Sequence, residues 1–150
     1  MTTHILIAFR IPIGGDRAEA LEDATKECRW QEYFWRMHGF DFHAYPGVIE
    51  TERVPNSYET TKMLALARTE YPDVSFTNYQ LHGTDDSRGQ RGGRWSRVEA
   101  TGRHWTSGTH ETGHNILDRE HAGKVGSRPY ADPTGSIMAS SRFGDLRLGS

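Results

Sequence analysis

From His4 to Ile13 the chain is rich in apolar and β-branched positions, the pattern of a buried strand, closed by Pro12 and Gly14-Gly15. Asp16 stands where a helix N-cap is expected. Ala18, Leu21, Ala24, Cys28 and Phe34 follow at helical spacing as far as Met37, and Gly39 ends the run. Trp30, Tyr33, Phe34 and Trp35 cluster toward the end of this helix, and aromatic bulk there predicts packing against a sheet. Phe40, Phe42 and Ala44 alternate with Asp41, His43 and Tyr45, as in a half-buried strand, and Val48 to Val54 extends the same hairpin or layer. A second helix begins at Ser57, with Thr60, Met63, Leu64 and Ala67 on one side and Tyr71-Pro72 at its exit. Val74 to Leu81 reads as a further strand with weak contrast between its two faces. Strand, helix, strand, helix, strand predicts an α+β fold in which helices pack on a twisted sheet.

The pattern changes at His82. Gly83 to Gly93 is polar and glycine-rich, running into Arg88-Gly89-Gln90-Arg91-Gly92-Gly93-Arg94, and reads as a surface loop. Basic glycine-rich chain beside Trp95 is also the composition of an RNA-binding arm, but Asp85 and Asp86 dilute its charge. Trp95, Val98 and Ala100 then suggest a short edge strand before Gly102.

At 150 residues the chain suits one domain with a modest core. Its formal net charge of -2 makes no global electrostatic case for a nucleic-acid or membrane partner. Cys28 is the single cysteine, which excludes an intramolecular disulfide and a cysteine-rich zinc site. The start, Met1-Thr2-Thr3-His4, has no basic leader, and Ile5 to Phe9 is too short for a signal core or a membrane span. The expectation is a chain that stays where it is made, or one whose leader was removed.

The chemistry lies at His110-Glu111-Thr112-Gly113-His114-Asn115-Ile116-Leu117-Asp118-Arg119-Glu120-His121. His110 and His114 are one helical turn apart, so a helix sets both rings on one face. Glu111 is displaced from that row but within reach of a water beside it. Two imidazoles to hold a zinc ion and a carboxylate to take a proton from a metal-activated water make the HExxH pattern. Zinc needs a third protein ligand. His121 is preferred, with Glu120 the rival and Asp118 a weaker one. His121 requires the chain to turn first, and Asp118 is a residue type that tolerates such a turn. Gly113 weakens the helix locally.

These residues, together with Ser136-Ile137-Met138-Ala139-Ser140, resemble the metzincin clan of zinc endopeptidases, and the helix start is similar to the small snapalysin-type bacterial proteases. The family pattern is HExxHxxGxxH, or Asp in the last place, followed by a methionine-bearing turn beneath the metal. His110, Glu111 and His114 match directly, Gly113 matches a glycine often found there, and Met138 matches the methionine of the turn. The family glycine falls at Leu117 and its third ligand at Glu120. One extra helical residue restores the pattern, with Asp118 turning and His121 three beyond it. The resemblance implies one metzincin-like domain over residues 1–150, with an N-terminal subdomain of about 1–115 and a short C-terminal one of about 116–150. It implies a zinc endopeptidase acting on a peptide or protein, with Glu111 as general base and His110, His114 and His121 on the metal. A substrate peptide is expected to lie along an edge strand, Arg94 to Ala100. The shifted ligand leaves open a catalytically inactive binding or assembly protein, and Tyr130 is a weak candidate for an oxyanion contact.

Overall fold

A computed structural model describes residues 2–89, 92–100 and 106–117 of the chain. Five strands and three helices follow in the order β1 (Thr2–Pro12), α1 (Arg17–Met37), β2 (Asp41–Thr51), α2 (Ser57–Ala67), β3 (Asn78–Thr84), β4 (Arg88–Gly89), β5 (Trp95–Glu99) and α3 (Ser107–Ile116). The strands form one mixed sheet ordered β2-β1-β3-β5-β4, parallel except for β4, which runs antiparallel to β5 at one edge. This α+β architecture is coarsely compatible with a metzincin-like arrangement.

β1 occupies the interior of the sheet, and its residues Ile5, Leu6, Ile7 and Ala8 are completely buried. Each large side chain among them is worth about 1.5–3 kcal/mol of burial, so this strand anchors both layers. Ile5, Ile7 and Phe9 meet Ala24, Cys28, Phe34 and Trp35 of α1, while Leu6 and Ala8 meet Leu64 and Ala67 of α2 on the opposite face. Asp16 caps α1 by accepting from the Glu19 amide, as expected. The helix turns slightly from the expected face: Ala20 is buried, whereas Ala18 and Leu21 are exposed. Asn56 and Glu59 form a reciprocal capping box at the start of α2.

One open expectation is resolved and another is corrected. Residues 41 to 51 form one continuous edge strand, parallel to β1, so Val48 to Thr51 extends the layer begun at Phe42 and does not turn back as a hairpin. Its inward alternation survives Pro46-Gly47 because an edge strand tolerates a residue with no amide hydrogen. The strand expected over Val74 to Leu81 instead spans Asn78 to Thr84, with Asn78 to His82 all buried. A strand covered on both faces carries little alternation, which explains the weak contrast. Gly83, at φ 99°, accommodates the register shift between His82 and Thr84.

The outer edge of β2 is occupied by side chains. Arg36 Nε donates to the Phe42 carbonyl, Arg29 to the Ala44 carbonyl, and the Tyr71 hydroxyl to the Pro46 carbonyl. The Ala44 amide donates to Glu32 Oε2 at 3.0 Å. Glu32 also pairs with Arg29 and Arg36, at 2.8 and 3.3 Å. Among the described residues, no helix is long and apolar enough to cross a membrane.

Candidate metal centre

The helix that carries the site is intrinsically weak. α3 reads Ser-Gly-Thr-His-Glu-Thr-Gly-His-Asn-Ile, and each glycine costs about 1 kcal/mol relative to alanine. Its N-cap residue, Thr106, makes no side-chain capping bond. Packing supplies what propensity lacks, since every residue from Ser107 to Asn115 is buried.

Behind α3 lies a polar layer on the sheet. In register across it stand Ile7, Gln80 and Ser96, then Phe9, His82 and Val98. Gln80 Nε2 reaches the Gly108 carbonyl at 2.8 Å and the hydroxyls of Thr112 and Ser96 at 3.0 Å each. Its Oε1 accepts from Gln31 Nε2 at 2.8 Å and faces His82 Nε2 at 2.7 Å. Thr112 donates to Gln31 Oε1 at 2.7 Å, and Gln31 Nε2 also donates to Glu27 at 2.9 Å. The His82 ring stacks on Phe9 with centroids 4.4 Å apart. Gly108 is the point of closest approach: a Cβ there would meet Glu27 Oε2, Gln31 Nε2 and His82 Cε1 at 2.8–2.9 Å.

In front of α3 runs the edge segment. Gly89 lies against Glu111 and His114, and the Gly92 amide donates to the His114 carbonyl at 3.0 Å. Asn115 Nδ2 donates to the Trp95 carbonyl at 3.2 Å. Part of the segment read as a surface loop is therefore a wall of the site. Two arginines that follow it, Arg94 and Arg97, are engaged within the fold. Arg94 donates to the carbonyls of Thr77 and Phe76 and lies over the Tyr79 ring, and Arg97 pairs with Asp86 at 2.6 Å. Trp95 stacks on Tyr79 at 4.4 Å.

Between the two walls, α3 brings His110, Glu111 and His114 together. The imidazole centroids are 4.9 Å apart with their planes at 87°. Glu111 Oε1 is 3.8 Å from His114 Nε2. One donor atom from each of the three lies within 4.8 Å of the others, and the residues are 0%, 4% and 8% exposed. Bonds of about 2.0–2.2 Å require donors within roughly 4.4 Å of one another, so small side-chain rotations bring this set onto one ion. Two imidazoles and a carboxylate suit a divalent cation of intermediate softness. Burying such groups together is costly unless charge compensates, which a cation does. The result is a buried His-Glu-His triad capable of chelating a metal ion.

Of the residues singled out from the sequence, His110, Glu111 and His114 converge. His121, its rivals Glu120 and Asp118, Tyr130 and the turn bearing Met138 lie outside the described residues. The helix ends at Ile116 with Leu117 as its C-cap. Gln31, Gln80 and His82 carried no motif. The only hint was polar residues at buried parity, Gln31 on the inner face of α1 and Gln80 and His82 in β3. The chain matches no protein-family model, and no curated protein resembles it at a significant level of similarity.

Proposed function

We propose that this chain is a zinc-dependent endopeptidase of metzincin type, with His110, His114 and His121 as metal ligands and Glu111 as general base. The observation that carries the reading is the convergence of His110, Glu111 and His114 on one buried helix face within a few ångströms. When bound, the ion supplies Lewis acidity toward a water and toward the scissile carbonyl. Glu111, beside but off the imidazole row, takes the proton from the attacking water and passes it to the leaving amine. The peptide is held extended by backbone hydrogen bonds. β5 pairs with β3 and with β4, so Arg94 to Ala100 is not the free edge first expected. β4 borders the sheet on this side and abuts α3, and is the edge assigned to the peptide.

His121 is favoured over Glu120 as third ligand because a neutral imidazole suits zinc and because His121 stands three residues beyond Asp118, as the family histidine stands three beyond its glycine. The competing reading, a catalytically inactive metzincin-like binding or assembly protein, draws on the shifted third ligand and on Leu117 at the family's glycine position, where it packs on the α1 side of the core. Elemental analysis of purified protein, with cleavage of a mixed peptide library by wild type and Glu111→Gln, decides between them. Stoichiometric zinc with cleavage lost in the variant supports the endopeptidase. Zinc without cleavage supports the inactive reading, and full activity in Glu111→Gln overturns the general-base role.

A further inference from the structure

We propose that Gln80, acting with Gln31 and Thr112, is a positioning device that fixes the rotation of α3 about its axis and so sets the angle at which His110 and His114 meet a metal ion. The inference rests on the metal-centre reading above and extends it to residues that carry no metal-binding chemistry of their own.

Gln80 is completely buried in an interior strand, where its register neighbour on one side is Ile7. Its single amide joins four elements: α1 through Gln31, β3 through His82, β5 through Ser96, and α3 through Gly108 and Thr112. The sense of these bonds is determined. The Gly108 carbonyl only accepts, so the Gln80 nitrogen must face it. Gln80 Oε1 then accepts from Gln31, and His82 Nε2 carries the hydrogen directed at it. Gln31 donates to Glu27 with the same nitrogen, which leaves its Oε1 for the Thr112 hydroxyl. Rotating either amide by half a turn would set oxygen against oxygen.

The anchors on α3 are correctly placed for orientation. Gly108 and Thr112 are one turn apart, on one face. His110 and His114 have the same spacing displaced by two residues, about 200° round the axis at 3.6 residues per turn. The network thus grips the back of the helix and the imidazoles occupy the front. Apolar packing sets how deep a helix sits but is non-directional, whereas hydrogen bonds also set its rotation. Glycine at 108 lets the helix approach this layer, since a Cβ would meet three of its atoms at 2.8–2.9 Å.

The test uses Thr112→Val, which removes the hydroxyl at nearly constant shape, and Thr112→Ser, which keeps it. Each is titrated with Co2+ against a competing chelator, its visible absorption is recorded, and its metal-free melting curve is taken. Thr112→Val should weaken Co2+ binding by about tenfold or more and alter the absorption, with Thr112→Ser returning both to wild-type values. A lower melting temperature for Thr112→Val with unchanged Co2+ affinity and absorption would reduce the network to packing and overturn the inference. If Thr112→Val does not melt cooperatively, Gln31→Met, a change outside α3, is read in the same way. Wild type that binds no Co2+ removes the metal centre and this inference with it. Wild type and both Thr112→Val and Gln31→Met binding equally removes the inference alone.

Discussion

Gly89 of β4 lies so close to Glu111 of α3 that a Cβ on Gly89 would fall 2.4 Å from the Glu111 carbonyl oxygen and 3.0 Å from His114 Cβ. The clash is with backbone, which cannot swing aside as a flexible side chain does. Gly89→Ala must therefore separate the edge strand from the helix that carries His110, Glu111 and His114. Overpacking of this kind costs about 1–3 kcal/mol, and urea denaturation should register it. Metal affinity should fall in the same variant, as read by chelator competition. Unchanged stability and affinity would mean that β4 does not pack on α3 in solution.

Glu111→Gln keeps shape and polarity while removing the proton acceptor. In the proposed site the ion rests on His110, His114 and His121 and Glu111 holds the water, so we expect metal uptake near that of wild type and peptide hydrolysis reduced by about 10²–10⁴-fold. Metal lost in this variant would make Glu111 a ligand of the triad instead. His114→Ala should instead lose the metal along with the activity. Parallel zinc analysis and peptide assays separate the two outcomes.

Glu32 is only 6% exposed, yet it accepts from the Ala44 amide and pairs with Arg29 and Arg36. It thereby covers part of a strand edge that would otherwise offer its hydrogen-bonding groups to another chain. Glu32→Leu leaves the Ala44 amide without that acceptor, at a cost of about 1–3 kcal/mol. The variant should melt earlier and self-associate more than wild type as concentration rises, which light scattering after size exclusion measures. A monomer of unchanged melting temperature would show that the edge needs no cover.

The Cys28 thiol is completely enclosed, and desolvation by burial holds its pKa well above the ordinary thiol range. The native protein should resist thiol reagents at neutral pH and react once unfolded. Because the folded-state pKa is the raised one, this contribution to stability is intact below the unfolded thiol's pKa of about 8.5 and declines as pH climbs above it. Denaturation midpoints at neutral and alkaline pH, with wild type against Cys28→Ala, isolate the effect. A decline equally steep in the alanine variant would assign it to other groups.

Much of the framework was readable from the chain. Asp16 marked the start of α1, Gly39 its end, and the Ile5 to Phe9 run the buried strand. The clustering of His110, Glu111 and His114 was legible because their spacing is itself the geometry of a helix face. The features that the sequence does not display depend on contacts between distant parts of the chain. Gln31 and Thr112 are 81 residues apart in sequence, and neither resembles a core residue. Phe42 to Ile49 looked like two pieces because Pro46-Gly47 interrupts the pattern, and the sheet edge that tolerates them is not a local property. Gly89 reads as a loop glycine because sequence does not reveal that a helix backbone occupies the space a side chain would need.

The helical form of residues 107 to 116 is on loan from the sheet. A peptide of that sequence, cut free, would keep both histidines and lose the arrangement that makes them a pair, because short isolated helices are marginal even with favourable composition. Release of a bound ion should therefore track global unfolding of the domain rather than local fraying. Grafting the His-Glu-x-x-His stretch into another protein would transfer the letters and leave the centre behind.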